Sequence, residues 1–294
     1  MRFKFLIILY LFSSIAIFSQ DNLPLWIKFQ EAKMMYENGD FQDALEFFLS
    51  VTSKDTPFPE AEYMIGLLYL EEGELDLAEN QIKKAIELSP YLEVKEDILD
   101  IKYSLAKIYL LKEDYDSYVL SLKDILGGDE LNIEEIRDQN AYYETLIESG
   151  IDRLVVLYRK DADSVMNARI YLGYYYNSIG EYSKSVSYLL SPVLAIITEV
   201  INDKFNRNRE YVFSDMETLF TQISSDKRVI EYFNEHDILK LFYYLAESLY
   251  GLDEKDKAKE IWSLLANSSF ESMWVNKSVK QLRNPELETW KFIY

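Results

Sequence analysis

The 294-residue chain is predicted to fold as an all-α solenoid of antiparallel helix pairs, and three observations predict it. Apolar and small residues recur at helical spacing in paired runs, each pair joined by a short turn. The pattern returns at about 34 residues, a period that marks stacked structural repeats. Glycine and proline are scarce, at 9 and 6 residues, and no apolar/polar alternation is sustained long enough to suggest a sheet.

The clearest unit runs from Pro59 to Leu92. Its first helix is carried by Tyr63, Gly66, Leu67 and Leu70, and its second by Leu75, Ala78, Ile82 and Ala85. Between them, Gly73 can take a left-handed backbone and end the first helix, while Pro90 stops the second. The small residues Gly66 and Ala78 mark where the two helices approach closely. A hairpin of this size cannot bury its apolar face alone, so it needs neighbours. Upstream, Ala32, Met35, Gly39, Phe41, Ala44 and Phe48 repeat the same offsets. Downstream, a third copy follows through Ala106, Tyr109, Tyr115, Leu122 and Ile125, after an insertion around Tyr91 to Asp97 and with Tyr118 replacing the small residue. A fourth runs through Gly173, Tyr176, Gly180, Tyr182, Ser185 and Leu189, and a fifth through Ala246, Leu249, Ala258, Trp262 and Leu265.

At the spacing of Gly66, Tyr69, Gly73, Leu75, Ala78, Ala85 and Pro90, the chain resembles the tetratricopeptide repeat family. The resemblance implies a right-handed superhelix of about five to seven hairpins with a C-terminal capping helix. It also implies a concave groove, lined by the first helix of each pair, that accepts an extended or helical peptide. The chain then divides into repeats at 25–126, a degenerate helical repeat at 127–165, and a repeat with an extended helix at 166–205. The degenerate repeat is expected to break at Gly127-Gly128-Asp129 and again at Gly150, between helices at Ile133 to Glu148 and Asp152 to Arg159. After Ser191-Pro192, Val193 to Phe205 reads as another helix instead of a sharp stop. An irregular helical insertion spans 206–238, and it either reshapes the superhelix or carries a partner-specific surface. A last repeat and cap occupy 239–283. The tail at 284–294 ends Trp290-Lys-Phe-Ile-Tyr, which either packs back onto the array or docks into a partner as a short motif.

Residues 1–19 have the layout of a secretory signal. Arg2 and Lys4 precede an apolar run from Phe5 to Phe18, which spans only about 21 Å as a helix against a hydrocarbon core of roughly 30 Å. Export to a bacterial periplasm is the expected address, with cleavage after Ser19; left uncleaved, the segment would tether the same domain to the membrane. With no cysteine, neither a disulfide nor a lipid thioether is available. The formal charge is −20, and removing residues 1–19 takes away Arg2 and Lys4 but no acid, leaving −22. So negative a protein repels phosphate backbones and anionic headgroups, which argues against nucleic acid or direct lipid-headgroup binding. Soluble partners steered by charge should be basic or neutral.

No catalytic, cofactor-binding or metal site is expected. His236 is the single histidine, so a zinc site would need carboxylates almost throughout. No nucleophile elbow, phosphate loop or dinucleotide fingerprint occurs. Carboxylate groups such as Glu71-Glu72-Glu74 and Glu134-Glu135 are expected to be solvated faces. What remains is the surface made by stacking. On a helix, residues six and three before, and one and four after, each small residue share one stripe. In the first copy these are Trp26, Phe29, Lys33 and Tyr36, and in the second Glu60, Tyr63, Leu67 and Leu70. The third gives Asp100, Tyr103, Lys107 and Leu110. The fourth gives Asn167, Ile170, Tyr174 and Asn177, and the fifth Lys240, Tyr243, Glu247 and Tyr250. Aromatic residues of this kind anchor interfaces, and they can equally fill the space between consecutive hairpins. The stripe lacks the lysine and asparagine clamp by which some members of the resembled family grip a terminal carboxylate. The expected function is therefore an exported, non-catalytic adaptor that holds a protein or peptide segment of an envelope protein in an aromatic groove. The alternative is a structural subunit that self-associates, or joins an envelope complex, through convex and terminal surfaces.

Overall fold

A computed structural model describes residues 23–53, 56–128 and 133–287. The secretory segment expected at 1–19 and the aromatic part of the tail lie outside them. Among the described residues the fold is all-α, without a strand. Contacts divide the chain into two compact units, Met1–Ser121 and Leu122–Tyr294.

The first unit holds α1 (Leu25–Asn38), α2 (Phe41–Thr52), α3 (Pro59–Glu71), α4 (Leu75–Glu87), α5 (Ile98–Leu111) and the start of α6 (Tyr115–Ile125). α1 packs on α2, α3 on α4, and each pair on the next. Ala32, Ala44, Phe48, Val51, Ala61, Ile65 and Leu68 form one buried cluster, and Ala78, Ile82, Ala85, Leu92, Ile101 and Ile108 a second. The insertion in the period is a pair of short 3-10 turns, Ser89–Tyr91 and Lys95–Asp97, which bury Leu92 and hand the chain to α5. At the end of α5, Lys112 reaches back to Asp76 and Glu79 of α4, 2.6 Å from each. Desolvation works against the Glu79 carboxylate, but hydrogen bonds from Lys112 and Lys83 outweigh it and hold the group below its ordinary range.

The second unit contains α7 (Ile133–Leu157), α8 (Met166–Ser178), α9 (Tyr182–Arg207), α10 (Met216–Ile223), α11 (Lys227–Glu235), α12 (Ile238–Gly251), α13 (Lys255–Ala266) and α14 (Met273–Arg283). α7 is broken at Gly150, whose backbone (φ 83°, ψ 172°) leaves the helical region. There the N–H of Ile151 donates to Glu260 of α13 at 3.1 Å. α9 runs unbroken through Pro192, although that residue has no N–H to donate. Its residues from Ser185 to Thr198 are buried apart from half-buried Ser187, so tertiary packing holds the helix where propensity would interrupt it. α9 is long and apolar enough to cross a membrane, but most of that stretch is buried inside the unit, as in a core helix. The least repeat-like stretch of the sequence supplies α10 and α11, capped by the side chains of Asp215 and Asp226.

The hairpin turns explain the repeat. Residues 39, 73, 113, 180 and 253 all take positive φ, between 57° and 85°. Each lies seven positions after the small residue of its copy, at Ala32, Gly66, Ala106, Gly173 and Ala246. At every one of these turns the left-handed residue donates its N–H three residues back and the next residue donates five back, as in Asp40 to Met35, Glu74 to Tyr69, Asp114 to Tyr109, Glu181 to Tyr176 and Glu254 to Leu249. These double bonds satisfy the last carbonyls of the first helix. The residue that then starts the second helix is acidic in all five, where the helix dipole favours negative charge. Gly66 and Gly173 meet the close-approach expectation, because a Cβ on them would lie 2.5 Å from Ile82 Cγ1 and 2.2 Å from Leu189 Cδ2.

Substituting Gly173→Ala should therefore cost about 1–3 kcal/mol through overpacking against buried Leu189. Gly180→Ala, at φ 78° with open space around it, should cost about 1 kcal/mol for conformational reasons alone. Urea unfolding of the two variants checks both values, and equal costs would mean that the close approach contributes nothing beyond backbone preference.

Candidate functional site

The predicted stripe falls into two different environments. In the first unit most of it stays accessible, although Leu110 is buried. Trp26 is 64% exposed, Lys33 and Lys107 are exposed, and Tyr36, Tyr63, Leu67, Leu70 and Tyr103 are half-buried. Phe29 turns inward, its ring 5.6 Å from Phe48 and 5.0 Å from Phe58. Tyr36 leans on Phe41 at 5.5 Å. The Tyr63 and Ser104 hydroxyls lie 3.0 Å apart, which ties α3 to α5 along the same face. Burial raises the Tyr63 phenol; the Ser104 hydrogen bond opposes this, and the charges of Asp100, Tyr36 and Asp97 add to the rise. Tyr36, Tyr63 and Ser104 thus bring α1, α3 and α5 together on one face. A side chain reaching this face would meet phenol, indole and leucine surface flanked by lysines.

In the second unit the same stripe is largely interior. Tyr174, Asn177, Tyr243 and Glu247 are buried, while Tyr250 is half-buried. Asn177 donates to Ser248 Oγ at 2.9 Å, and that oxygen lies 2.8 Å from Ser185 Oγ, which donates in turn to the Gly173 carbonyl. This polar contact fixes α8, α9 and α12 where they meet through small residues. Tyr243 is fully buried among Tyr244, Trp262 and Trp274. Desolvation drives the Tyr174 phenol well above its ordinary value, and nearby Asp237 adds to the effect. These four side chains are packing residues here and present no open groove floor. Sequence reasoning overlooked Trp274, Lys277 and Gln281, which share a face of α14 at spacings of three and four. Reading α14 as a cap hid them; reading it as the first helix of a further pair would have placed them on the stripe.

A separate cleft of about 180 Å³ opens between the C-terminal half of α9 and α11, lined by Glu199, Val200, Asp203, Arg207, Arg228, Val229 and Tyr232. The Tyr232 hydroxyl donates to Glu199 at 3.1 Å, and burial together with that carboxylate pushes the phenol up to about 12. Arg207 is paired with both Asp203 and Asp226. His236 is exposed and stands beside the Tyr232 ring at 4.7 Å. Among the described residues, no three His, Asp or Glu side chains converge as metal ligands would. The cleft is a charge-compensated seam that fastens the inserted helix pair to α9.

No protein-family model matches the chain. An uncharacterized protein of Borreliella burgdorferi is 22% identical over 298 aligned positions, which cover 90% of this chain and 92% of that protein. One of Treponema pallidum is 24% identical over 232 positions, covering 77% of this chain and 62% of its own length. Among solved structures, a Podosopora anserina kinesin light chain with nearly identical TPR-like repeats is similar, with a TM-score of 0.43 at 13% identity, covering 88% of this chain and 97% of that one. The C-terminal part of a TPR repeat-containing protein from Cytophaga hutchinsonii gives a TM-score of 0.30 at 16% identity, covering 84% and 98%.

The seam makes a pH prediction. Hydrogen bonding from Arg207 lowers the Asp226 carboxyl against its desolvation, and backbone and side-chain hydrogen bonds lower Asp215. Groups held below their unfolded values stabilise the fold above the ordinary carboxyl range, near pH 4, and that stability is lost as pH falls through the folded values. Thermal melting between pH 6 and about 3 should therefore show a decline that is shallower in Asp226→Asn. An unchanged slope would remove Asp226 from the linkage.

Proposed function

We propose that the protein is an exported, non-catalytic scaffold that binds a segment of another protein across the first-helix face of its first unit. The observation that carries this reading is the accessible run of Trp26, Lys33, Tyr36, Leu67, Leu70 and Lys107 on three consecutive first helices. Aromatic anchors with few rotatable bonds, ringed by polar groups, are the usual composition of an energetically concentrated interface. The net charge of −20 favours a basic or neutral partner, and the secretory layout of residues 1–19 favours a protein of the cell envelope. Groove residues from the second unit do not enter the proposal, because their side chains are committed to packing.

The test pairs Trp26→Ala with Leu67→Ala in the full chain and measures capture of envelope proteins after crosslinking in intact cells. Loss of an exposed aromatic anchor should weaken capture about tenfold, or roughly 1.4 kcal/mol, with helicity unchanged. Leu77→Ala, an exposed leucine on a second helix, serves as the control and should leave capture intact. If the first-helix variant captures the same set as the wild type, the face is packing surface. If the only protein captured is the chain itself, with a mass in solution that rises with concentration, self-association replaces the adaptor reading.

Export is checked independently by intact mass of the protein recovered from cells. A mature chain beginning at Gln20 is expected, and one that retains Arg2 and Lys4 would place the segment as an anchor instead.

A further inference from the structure

The turn that closes the first hairpin carries a chemistry that the other hairpin turns lack. Of the chain's asparagines, only Asn38 is followed by glycine. Asn38 ends α1, and Gly39 is the left-handed residue of the turn, at φ 85°. At the equivalent position the other turns carry Glu72, Lys112, Ile179 and Leu252, none of which has a carboxamide. An asparagine Cγ can close a five-membered ring on the main-chain nitrogen of the next residue, and where that residue is glycine no Cβ shields the nitrogen. Asn38 and Gly39 are both exposed, and a Cβ added at Gly39 would meet nothing within 4 Å.

In the closed turn the reaction is held back. The Gly39 N–H donates to the Tyr36 carbonyl at 3.0 Å, and the Asp40 N–H to that of Met35 at 2.9 Å. The nitrogen that would attack is engaged, and the helix holds the Asn38 backbone away from the geometry that ring closure needs. Opening is least costly in this hairpin. Among the described residues it is the terminal pair, with α1 packed chiefly on α2 and α2 on α3, and its outer side leaves Trp26, Met34, Phe41 and Leu49 exposed. A pair covered from one side lies at the low end of the stability range in a stacked array.

We propose that Asn38-Gly39 is a spontaneous deamidation site gated by the opening of the first hairpin. In the open turn the Gly39 nitrogen bonds to Asn38 Cγ, the bond from Cγ to the side-chain nitrogen breaks, and the proton lost by Gly39 leaves on the departing ammonia. Water then opens the cyclic imide: attack at Cγ gives aspartate, and attack at the main-chain carbonyl gives isoaspartate. One water is consumed and one ammonia released, with no change of oxidation state. Either product puts a carboxylate into the last turn of α1, where the helix dipole disfavours negative charge, beside Glu37 and Asp40. Isoaspartate also routes the main chain through Cβ, and the extra backbone atom takes the two N–H groups out of register with Tyr36 and Met35. The modification is irreversible and loosens the helix that carries Trp26, Lys33 and Tyr36. This inference stands whether or not that face binds a partner segment.

The test ages the full chain at neutral pH and follows residues 38 and 267 by peptide mass spectrometry, with fragmentation that separates aspartate from isoaspartate. Asn267, exposed in the second unit and followed by Ser268, is the reference. Asn38 should convert first, chiefly to isoaspartate. In urea its rate should rise at least about tenfold, because attack on an intermittently opened segment follows the population of the open form. Phe48→Ala removes a fully buried ring beneath the hairpin and should speed Asn38 at least about threefold while leaving Asn267 unchanged. If circular dichroism shows that variant unfolded, Val51→Ala, a smaller truncation in the same cluster, takes its place. Trypsin should cut after Lys33 at least about threefold faster in the isoaspartate form than in fresh protein. Equal Asn38 rates in the folded and urea-unfolded chain, or no acceleration in a folded core variant, overturn the gating. Conversion of Asn267 ahead of Asn38 in the folded chain overturns the site.

Discussion

Two helices joined by a short turn can pack along their length only if some pair of positions lets the backbones come within reach of each other and the turn returns the chain at the right angle. Both conditions are met here by one recurring device, a small residue followed seven positions later by a left-handed one. The double hydrogen bond at the turn closes the first helix, and an acidic residue opens the second. The left-handed position is glycine at 39, 73 and 180, but Glu113 and Asp253 adopt it as well. A non-glycine residue there costs on the order of 1 kcal/mol, so the packing on both sides of those two turns must over-determine them.

From that device the cores follow. In the first unit each pair covers the apolar face of the next, and the inserted turns at 89–97 are absorbed by burying Leu92 while Lys112 bridges back to α4. In the second unit the long α9, the inserted α10 and α11, and α14 enclose α12, so the repeat becomes the centre of a broad hydrophobic cluster. The contrast bears on function. The same stripe of the helical wheel is a half-open surface in one unit and structural interior in the other.

The sequence made the hairpins legible because their determinants are local: Gly66 with Ala78, and Gly173 with Ser185, are written within a dozen residues of each other. Even the degenerate break at Gly150 could be read from a single residue. Exposure was not legible in the same way. Tyr63 and Tyr243 occupy equivalent positions, but Trp262 of α13 and Trp274 and Gln281 of α14 pack against the second. Pro192 misleads for a related reason, since its cost to the helix is local while the burial that offsets it comes from α7, α8 and α12. Periodicity reports which face a residue is on, and distant neighbours decide what that face touches.

The enclosure of α12 also sets how the chain comes apart. A stack in which each pair touches only the next loses structure stepwise from whichever pair is weakest, because no contact spans more than one interface. A helix contacted by α8, α9, α11, α13 and α14 cannot be released without disturbing all of them. The amide hydrogens of α12 should then be among the slowest of the described residues to exchange with solvent, opening only when the whole second unit unfolds. Those of α1 and α2 exchange through the separation of a single pair.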